Sequence, residues 1–345
     1  MSKSKNRAAR WQYYRRIFSA YLGSDRSHLT FWHEVPEINP RATTGHLGEY
    51  YMLFREKADY PGHYDAAGIP MLDYHGTIGL QYNPIAIAQW GLANYNCFCD
   101  THDEDRWRKT LQAADWLTAN LEQNSRGLWV WNHHFDWEYR DTLKAPWYSG
   151  LAQAQGVSLL LRAQAHSNSK DEKYQSAADK AFVALTRPIA AGGVLFEDVS
   201  RDVHTNENND LWIEEYLVNP LTHILNGFIW ALWGVFDFWL ARADASAKEI
   251  FDRGIETLLH NLARYDTGYW SLYEQSGHEQ SKTRLKMLAS PFYHRLHIVQ
   301  LRVMSKLTGD TRFAAVADRW EGYALRRGNR TRALIEKSIF KLLHS

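Results

Sequence analysis

Acidic and phenolic side chains that could move protons are grouped in a few short stretches of the sequence. The stretch WIEEYLVNP carries Glu214, Glu215 and Tyr216 directly before a long apolar run, while WSLYEQ carries Tyr273 and SPFYHRLHI carries Tyr293. Carboxyl and phenol groups act as general acids and bases when burial and neighbouring charges tune their pKa values. These stretches are therefore the first candidates for catalytic chemistry.

Each candidate also has a structural interpretation. Glu214 and Glu215 precede Pro220, which is typical of a helix start, and carboxylates at that end stabilise a helix through its macrodipole. The dipole effect falls off within one turn, so this interpretation is weaker for Glu215. Tyr273 and Tyr293 could be core aromatics whose hydroxyls bond to the backbone. The residues alone leave both interpretations open.

Histidine and cysteine spacing does not predict a metal site. His294 and His297 are three apart on one helical face, whereas a zinc pair is more convincing at four apart with a glutamate between. We interpret them as hydrogen-bonding or charge-neutralising groups. Cys97 and Cys99 are too close in sequence for an ordinary structural disulfide and predict a reducing compartment. No nucleotide or dinucleotide motif occurs, so we predict neither metal nor cofactor.

Composition excludes some partners and favours others. Among 345 residues, 40 Lys and Arg against 39 Asp and Glu give a net charge of +1, which offers no broad field for nucleic acid or an anionic membrane. Aromatic residues make up 14% of the chain, and Trp and Tyr combine a flat apolar face with a polar group. This composition suits a carbohydrate ligand, although a large helical core uses aromatics too.

The elements that must position these groups are mainly helices. Five segments place apolar residues at three- and four-residue spacing: PIAIAQWGLANY, RWRKTLQAADWLTANLEQ, GLAQAQGVSLLLRAQAH, EKYQSAADKAFVALTRPI and LTHILNGFIWALWGVFDFWLARA. More apolar helices alternate with amphipathic ones, and glycines at 127, 193 and 268 are expected to end helices before short strands. We predict a mainly α fold, an (α/α) barrel of helix pairs with short β-hairpins; an open superhelix fits the same pattern.

The first part of the chain has a different pattern. Residues 30–82 are rich in Pro, Gly and aromatics without helical periodicity, so we predict residues 1–83 as an arm and an irregular segment. Residues 84–345 are predicted to form the barrel as one unit. The basic start leads into no cleavable apolar stretch, and the longest apolar run is too short for a membrane span. A cytoplasmic location is expected.

Several stretches of the sequence resemble a known family. The runs APWYSGLAQAQGVSLLLRAQ, WIEEYLVNPLTHILNGFIWALWGVFDF, LARYDTG with SLYE, and YHRLHIVQL are similar to the C-terminal helical domain of the D-glucuronyl C-5 epimerase family. QYNPIAIAQWGLANY resembles the segment that precedes the middle β-region in that family. The next helix follows it almost directly, so this chain looks like a compact form without the middle β-domain. The resemblance implies inversion of C-5 of D-glucuronic acid to L-iduronic acid within heparosan-type polysaccharide.

The resemblance also implies roles for individual residues. Glu215 and Tyr293 correspond to an acid/base pair acting on opposite faces of the uronate ring, with Tyr216 and Tyr273 positioning or assisting. The chemistry makes a carbanion beside a carboxylate, which must be neutralised. The family has an arginine-histidine pair after its strand tyrosine, and this chain has YEQSGHEQSKTR instead. Its carboxylate partner is then Lys282, Arg284, Arg295 or a histidine, or is missing.

Other residues are expected to bind substrate. We expect Trp147, Tyr148 and Trp212 to stack on sugar faces, and the remaining predicted substrate-binding residues are Tyr82, Gln155, Asn226, His294, Arg295 and His297. The predicted partner is a uronate-containing polysaccharide, and homodimer formation is left open.

Three alternative functions remain open, and the sequence hardly separates the first of them, a lyase, from the epimerase. The same carbanion could expel the C-4 substituent, as in a polysaccharide lyase. A glycoside hydrolase needs two carboxylates, for which Asp136, Glu138, Glu214 and Glu215 are available. A non-catalytic glycan-binding protein is the third alternative.

Overall fold

The computed structural model describes residues 31, 34–139, 141–167, 172–198, 209–275 and 286–344. The chain divides into two compact units, one of Glu37–Asn261 and one of Met1–Pro36 with Leu262–Ser345. The boundary predicted between residues 83 and 84 falls inside the first of these units. Residues 1–30, which include the start of the segment predicted as an N-terminal arm, lie outside the described residues.

The unit of Glu37–Asn261 is mainly helical, as predicted. Its α-helices are α1 (Arg55–Ala58), α2 (Pro84–Thr101), α3 (Glu104–Ala119), α4 (Gly150–Ser167), α5 (Lys173–Phe182), α6 (Leu225–Arg242) and α7 (Ala245–Asn261). Helices α2, α4 and α6 are buried along most of their length, whereas α3, α5 and α7 bury mainly one face. This is the predicted alternation of apolar and amphipathic helices. Closure of the pairs into an (α/α) barrel stays a prediction.

Short antiparallel strands connect these helices. They are β1 (His63–Tyr64), β2 (Pro70–Asp73), β3 (Leu80–Gln81), β4 (Glu122–Gln123), β5 (Trp129–Val130), β6 (Asn132–His133), β7 (Trp137–Glu138), β8 (Thr142–Leu143), β9 (Trp147–Tyr148), β10 (Leu195–Asp198) and β11 (Asp210–Ile213). The β7–β8 pair lies within the loop that joins β6 to β9, and β10 pairs with β11. Strand β11 leads directly into Glu214, Glu215 and Tyr216, which we call the EEY stretch.

Several predictions of local structure were wrong, and Gly193 is one case, because Gly192 rather than Gly193 is the C-cap of the short helix Ile189–Ala191. Gly127 does not end a helix: α3 ends at Ala119, and Gly127 lies at positive φ in the turn between β4 and β5. Pro220 does not begin a helix either, because α6 begins at Leu225 with Ile224 as its N-cap. The segment between β11 and α6 is therefore an irregular loop, so the positions of its side chains depend on their individual contacts and not on a helical repeat.

Helices α4 and α6 cross closely in the core of this unit. A Cβ at Gly234 would lie 2.5 Å from the backbone oxygen of Ala154, so glycine is what permits this approach. Beside the crossing, Arg162 of α4 donates to both carboxylate oxygens of Asp237 on α6, at 2.6 and 3.0 Å. Both side chains are fully buried, and the pair is completed by the Tyr51 hydroxyl, which donates to Asp237 at 2.6 Å.

The other unit contributes three described α-helices. They are α8 (Pro291–Thr308), α9 (Thr311–Leu325) and α10 (Arg327–His344). A turn at Gly268 and the isolated bridge between Leu272 and Leu288 precede α8. Ser290 caps α8 by accepting from the Tyr293 N–H, and Pro291 occupies its first turn. The cap holds the backbone of Tyr293, and the bridge holds the chain next to Tyr273.

Two further expectations concern the cysteines and the membrane. Cys97 and Cys99 are both free thiols in α2, as the spacing predicted. Among the described residues, no helix combines the length and the apolar character that crossing a bilayer demands.

Candidate active site

The EEY stretch is held in place by backbone hydrogen bonds on both sides of Glu214. Its N–H donates to the Val194 carbonyl at 2.9 Å, and its carbonyl accepts from the Gly150 N–H at 3.0 Å. A Cβ at Gly150 would lie 2.5 Å from that carbonyl oxygen, so the close approach requires glycine. The start of α4 and the strand pair β10–β11 therefore fix where Glu215 emerges.

The Glu215 carboxyl group lies buried against the first turn of α6. Its side chain is 5% exposed, and a Cβ at Gly227 would lie only 2.2 Å from Oε2. Oε2 has no hydrogen-bond partner among the described residues. Burial raises the pKa of Glu215 to about 8, the hydrogen bond with Tyr216 opposes this rise, and the charge of Glu214 adds to it. Glu215 is therefore mostly protonated at neutral pH and close to the pKa that proton transfer favours.

Tyr216 lies at the edge of an aromatic cluster in the same unit. Its ring centroid is 4.6 Å from that of Tyr139 and 5.8 Å from that of Trp147. The cluster also contains Phe135 and Val218. These contacts fix the orientation of the phenol next to the Glu215 carboxyl.

Glu214 does not interact with a helix terminus as the sequence suggested. Its carboxylate is 1% exposed and accepts from the backbone N–H of His223 at 3.2 Å. The same carboxylate lies 2.5 Å from His223 Nδ1. The macrodipole interpretation is therefore wrong, and the partner of Glu214 is a histidine that the sequence analysis had not singled out.

The predicted sugar-stacking residues are mostly packed against protein. Trp147 stacks on His133 with ring centroids 3.8 Å apart and donates to the Phe135 carbonyl. Trp212 is 2% exposed and lies 4.4 Å from the ring of His223. Tyr148 is half-buried, and its hydroxyl donates to the Gly192 carbonyl. This packing fits a structural role for Trp147 and Trp212 better than a role in sugar stacking.

Three other predicted substrate-binding residues differ in their accessibility. Gln155 is fully buried, accepts from Gln89 Nε2 at 3.0 Å and donates to the Tyr50 hydroxyl. That network occupies the Gln155 amide within the core. Asn226 is buried in the first turn of α6, beside Gly227. The Tyr82 hydroxyl donates to Asp65. Because Tyr82 is 36% exposed, it is accessible to solvent.

The predicted residues of the other unit include two neighbouring tyrosines. The rings of Tyr273 and Tyr293 meet edge to face, with centroids 4.8 Å apart and planes at 64°. The backbone of Tyr273 is fixed by donation of its N–H to the Met287 carbonyl at 2.8 Å. The two phenols that the resemblance implied for catalysis therefore lie next to each other.

His294 and His297 are core residues. His294 Nδ1 accepts from the Ser271 N–H, its Nε2 lies 3.0 Å from the Trp320 carbonyl, and its ring stacks on Trp270. Burial lowers the pKa of His294 to about 4 and that of His297 well below its ordinary value. Both rings are therefore neutral near pH 7, which contradicts a charge-neutralising role toward a substrate carboxylate.

The expected cationic partners of the substrate are not supported by position. Arg295 is exposed and lies two residues from Tyr293 on α8, and residues two apart do not share a helical face. Lys282 and Arg284 lie outside the described residues. Within the described part of the chain, no three His, Cys, Asp or Glu side chains are grouped as a metal site requires.

The fold is mainly helical, and its acidic and phenolic groups are suited to proton transfer. A family profile described as "D-glucuronyl C5-epimerase C-terminus" matches residues 123–322, which is more than half of the chain. The chain belongs to this D-glucuronyl C5-epimerase family, as its sequence motifs had indicated.

The chain spans only part of the length of the relatives that it matches. The chain is 33% identical over 225 residues to a D-glucuronyl C5-epimerase of Caenorhabditis elegans, a match that spans 61% of this chain and 34% of that protein. It is 27% identical over 210 residues to an uncharacterized protein of Methanocaldococcus jannaschii, which spans 61% of this chain and 63% of that protein.

Among solved structures, the chain is similar to an unsaturated glucuronyl hydrolase from Bacillus sp. GL1. The TM-score is 0.43 at 14% identity, and the match covers 69% of this chain and 61% of that one.

Proposed function

We propose that this protein is an epimerase that inverts C-5 of D-glucuronic acid units within a heparosan-type polysaccharide. Membership of the glucuronyl C5-epimerase family supports this class of reaction. The observation that carries the proposal is the Glu215 carboxyl group, which is buried, has a raised pKa and has an oxygen without a hydrogen-bond partner among the described residues. A carboxyl with these properties can exchange a proton with carbon near neutral pH.

In this proposal, Glu215 and Tyr293 exchange protons on opposite faces of the uronate ring. The C–H bond at C-5 breaks as one group takes the proton, and the other group delivers a proton from the opposite side. Tyr216 hydrogen-bonds to Glu215 and limits the rise of its pKa, and Tyr273 packs against Tyr293. Charge that develops next to the substrate carboxylate must be stabilised by a cation or hydrogen-bond donor.

The experiment is incubation of heparosan in deuterated water, followed by analysis of C-5 labelling, unsaturated ends and new reducing ends. Deuterium at C-5 together with iduronate and intact chains is the expected result. Unsaturated non-reducing ends would identify a lyase instead, and new reducing ends without any unsaturated ends would identify a hydrolase. Absence of all three products, with binding retained, would refute an enzymatic function on this polymer.

Two variants test the assigned residues. Tyr293→Phe removes one hydroxyl, so we expect loss of deuterium exchange by about a hundredfold or more, with affinity for heparosan within about twofold. Glu215→Gln is expected to do the same. Arg295→Gln, at the exposed position two residues from Tyr293, is the matched control and should retain exchange. Unchanged turnover in Tyr293→Phe would show that this residue has been assigned wrongly.

A further inference from the structure

A cleft outside the candidate active site lies between the chain that follows α1 and helix α3. Its volume is about 410 Å³, within the range of small-ligand pockets. Residues between Ala58 and Gly68 form one wall, and Arg108, Lys109 and Gln112 of α3 form the other. All of them precede residue 123, where the match to the family profile begins. The cleft is therefore separate from the residues to which a catalytic role is assigned.

The wall between Ala58 and Gly68 is aromatic. Tyr64 is 40% exposed, and the ring of Tyr60 lies 5.8 Å from its ring with planes at 58°. Trp90 of α2 also lines the cleft, with its ring 6.1 Å from that of Tyr64. Because Trp90 is only 1% exposed, the accessible aromatic surface comes mainly from Tyr64. An exposed flat ring with a hydroxyl group is a surface on which the apolar face of a sugar ring can pack.

The wall on α3 carries two cations. Arg108 and Lys109 both pair with Asp105, and Lys109 Nζ lies 2.8 Å from Asp105 Oδ2. Their side chains are nevertheless 59% and 28% exposed. Within the described part of the chain, Asp105 is the one acidic partner of both. A guanidinium carries five N–H donors and an ammonium three, so donors remain for a second carboxylate.

Contacts with α3 hold the aromatic wall in place. Arg106 forms an ion pair with Asp59 at 2.8 Å and donates to Asn94 of α2 at 3.2 Å. Gln112 Nε2 donates to the Ala67 carbonyl at 2.9 Å, which ties the turn between β1 and β2 to α3. Arg106 also neutralises the Asp59 carboxylate, an anion that lines the cleft and would otherwise repel an acidic ligand. The cleft is thus formed before a ligand binds, which lowers the ordering cost of binding.

We propose that this cleft binds a uronate-containing stretch of the polysaccharide outside the unit that reacts. A sugar ring packs against Tyr64, and its carboxylate pairs with Lys109 and Arg108. This inference rests on the proposed function, which supplies a polymer with units beyond the reacting one. A second contact on the same chain raises the affinity for long chains, because binding at one site raises the effective concentration at the other. The cleft therefore adds affinity for the polymer and takes no part in the chemistry.

The test measures the affinity of the full-length protein for immobilised heparosan and, separately, kcat for C-5 deuterium exchange in a short heparosan oligosaccharide. Tyr64→Ser removes the ring, and Lys109→Gln removes a charge while it keeps a hydrogen-bond donor. We expect each variant to lose about tenfold in affinity for the polymer, as removal of a contact at the centre of an interface does. In both variants kcat on the short oligosaccharide should stay within about twofold of wild type.

Heparosan with its carboxyl groups reduced to alcohols separates the two contacts. Lys109→Gln should bind the reduced polymer like wild type, because the anion with which the ammonium pairs is gone. Tyr64→Ser should still bind it about tenfold more weakly, since ring packing does not depend on the carboxylate. An equal loss in both variants with the reduced polymer would contradict the carboxylate contact.

Two matched control variants lie in the same unit but outside the cleft. Leu80→Ser removes an apolar side chain that is 44% exposed on β3. Lys248→Gln breaks the ion pair of Lys248 with Asp252 on α7, which has the same four-residue spacing as the pair of Lys109 with Asp105. Both controls should bind each polymer like wild type.

The outcomes separate this inference from the proposed function. Wild-type affinity for heparosan in either cleft variant would refute the inference. A loss in a control as large as that in its cleft variant, or a loss that only follows a lower melting temperature, would also refute it, because the role is then surface charge or stability. If wild type binds heparosan but exchanges no deuterium, the proposed function fails and the affinities still test the cleft. If wild type binds no heparosan, both fail.

Discussion

Glu215 gives the chain a pH-dependent stability that can be measured without any substrate. Burial raises its pKa from 4.5 to about 8, so between these values the folded protein binds a proton that the unfolded chain releases. Stability is therefore greatest below about pH 4.5 for this group and is lost as pH rises toward 8. The full shift corresponds to about 5 kcal/mol at most.

Glu215→Gln should remove this dependence, because an amide does not ionise. We expect wild type to lose stability when the pH is raised from about 5 to about 8.5, and the variant to lose less. The free energy of unfolding of both proteins is measured by urea unfolding at the two pH values. Glu138→Gln, which removes an exposed carboxylate, should show no such gain. A wild-type protein that loses no more stability than Glu215→Gln over this range would contradict the raised pKa.

Helix α6 positions Glu215 through one glycine, and this can be tested separately from the chemistry. In Gly227→Ala the new Cβ would lie 2.2 Å from Glu215 Oε2 and 2.8 Å from its Cβ, so the carboxyl must move. No functional group is lost, yet displacement of a catalytic group by about 1 Å costs about a hundredfold in rate. We expect a loss of this size in the initial rate of C-5 deuterium exchange.

Gly234→Ala on the same helix is the control that separates displacement of Glu215 from a general loss of protein stability. Its Cβ would meet the Ala154 backbone at 2.5 Å, so the variant should be destabilised while its exchange rate per folded molecule stays near wild type. If Gly227→Ala and Gly234→Ala lose activity only in proportion to the fraction unfolded, positioning by Gly227 is excluded.

Helices α4 and α6 share an ion pair whose disruption should be costly. Asp237→Asn leaves the Arg162 guanidinium buried without its counter-charge and weakens the acceptor for the Tyr51 hydroxyl. We expect a loss of about 3–5 kcal/mol in the free energy of unfolding. The double variant Arg162→Met with Asp237→Leu should lose less, because no buried charge remains. An equal or greater loss in the double variant would contradict this explanation.

At the scale of the whole molecule, sequence periodicity predicted the helices well and the loops poorly. The alternation of buried and amphipathic helices follows from apolar spacing, which is local. The pairing of Glu214 with His223 and the contact of Glu215 with Gly227 depend on how an irregular loop folds back on α6. Spacing does not encode such a loop, so the sequence placed Glu214 at a helix terminus and missed His223. The roles proposed for Glu215 and Tyr293 came from family resemblance rather than from pattern.

The region that matches the family leaves out the first part of one compact unit. It begins at residue 123, whereas the compact unit begins at Glu37 and includes α2. Arg162 donates from Nε to the Gly48 carbonyl, and the hydroxyl of Tyr51 completes the ion pair with Asp237. The buried Arg162–Asp237 pair of the matched region therefore obtains two of its hydrogen bonds from residues that precede that region.

A fragment that starts at residue 123 should consequently fail to fold on its own. Removal of residues 1–122 leaves the buried Arg162–Asp237 pair without two of its hydrogen bonds and exposes the apolar surface of α4 that α2 covers. We expect the fragment to lack near-ultraviolet circular dichroism and a cooperative urea transition, both of which the full chain should show. Addition of the separate 37–122 fragment should restore part of the cooperative transition. A fragment from 123 onward that unfolds cooperatively near the full-chain midpoint would show that the matched region is sufficient for the core.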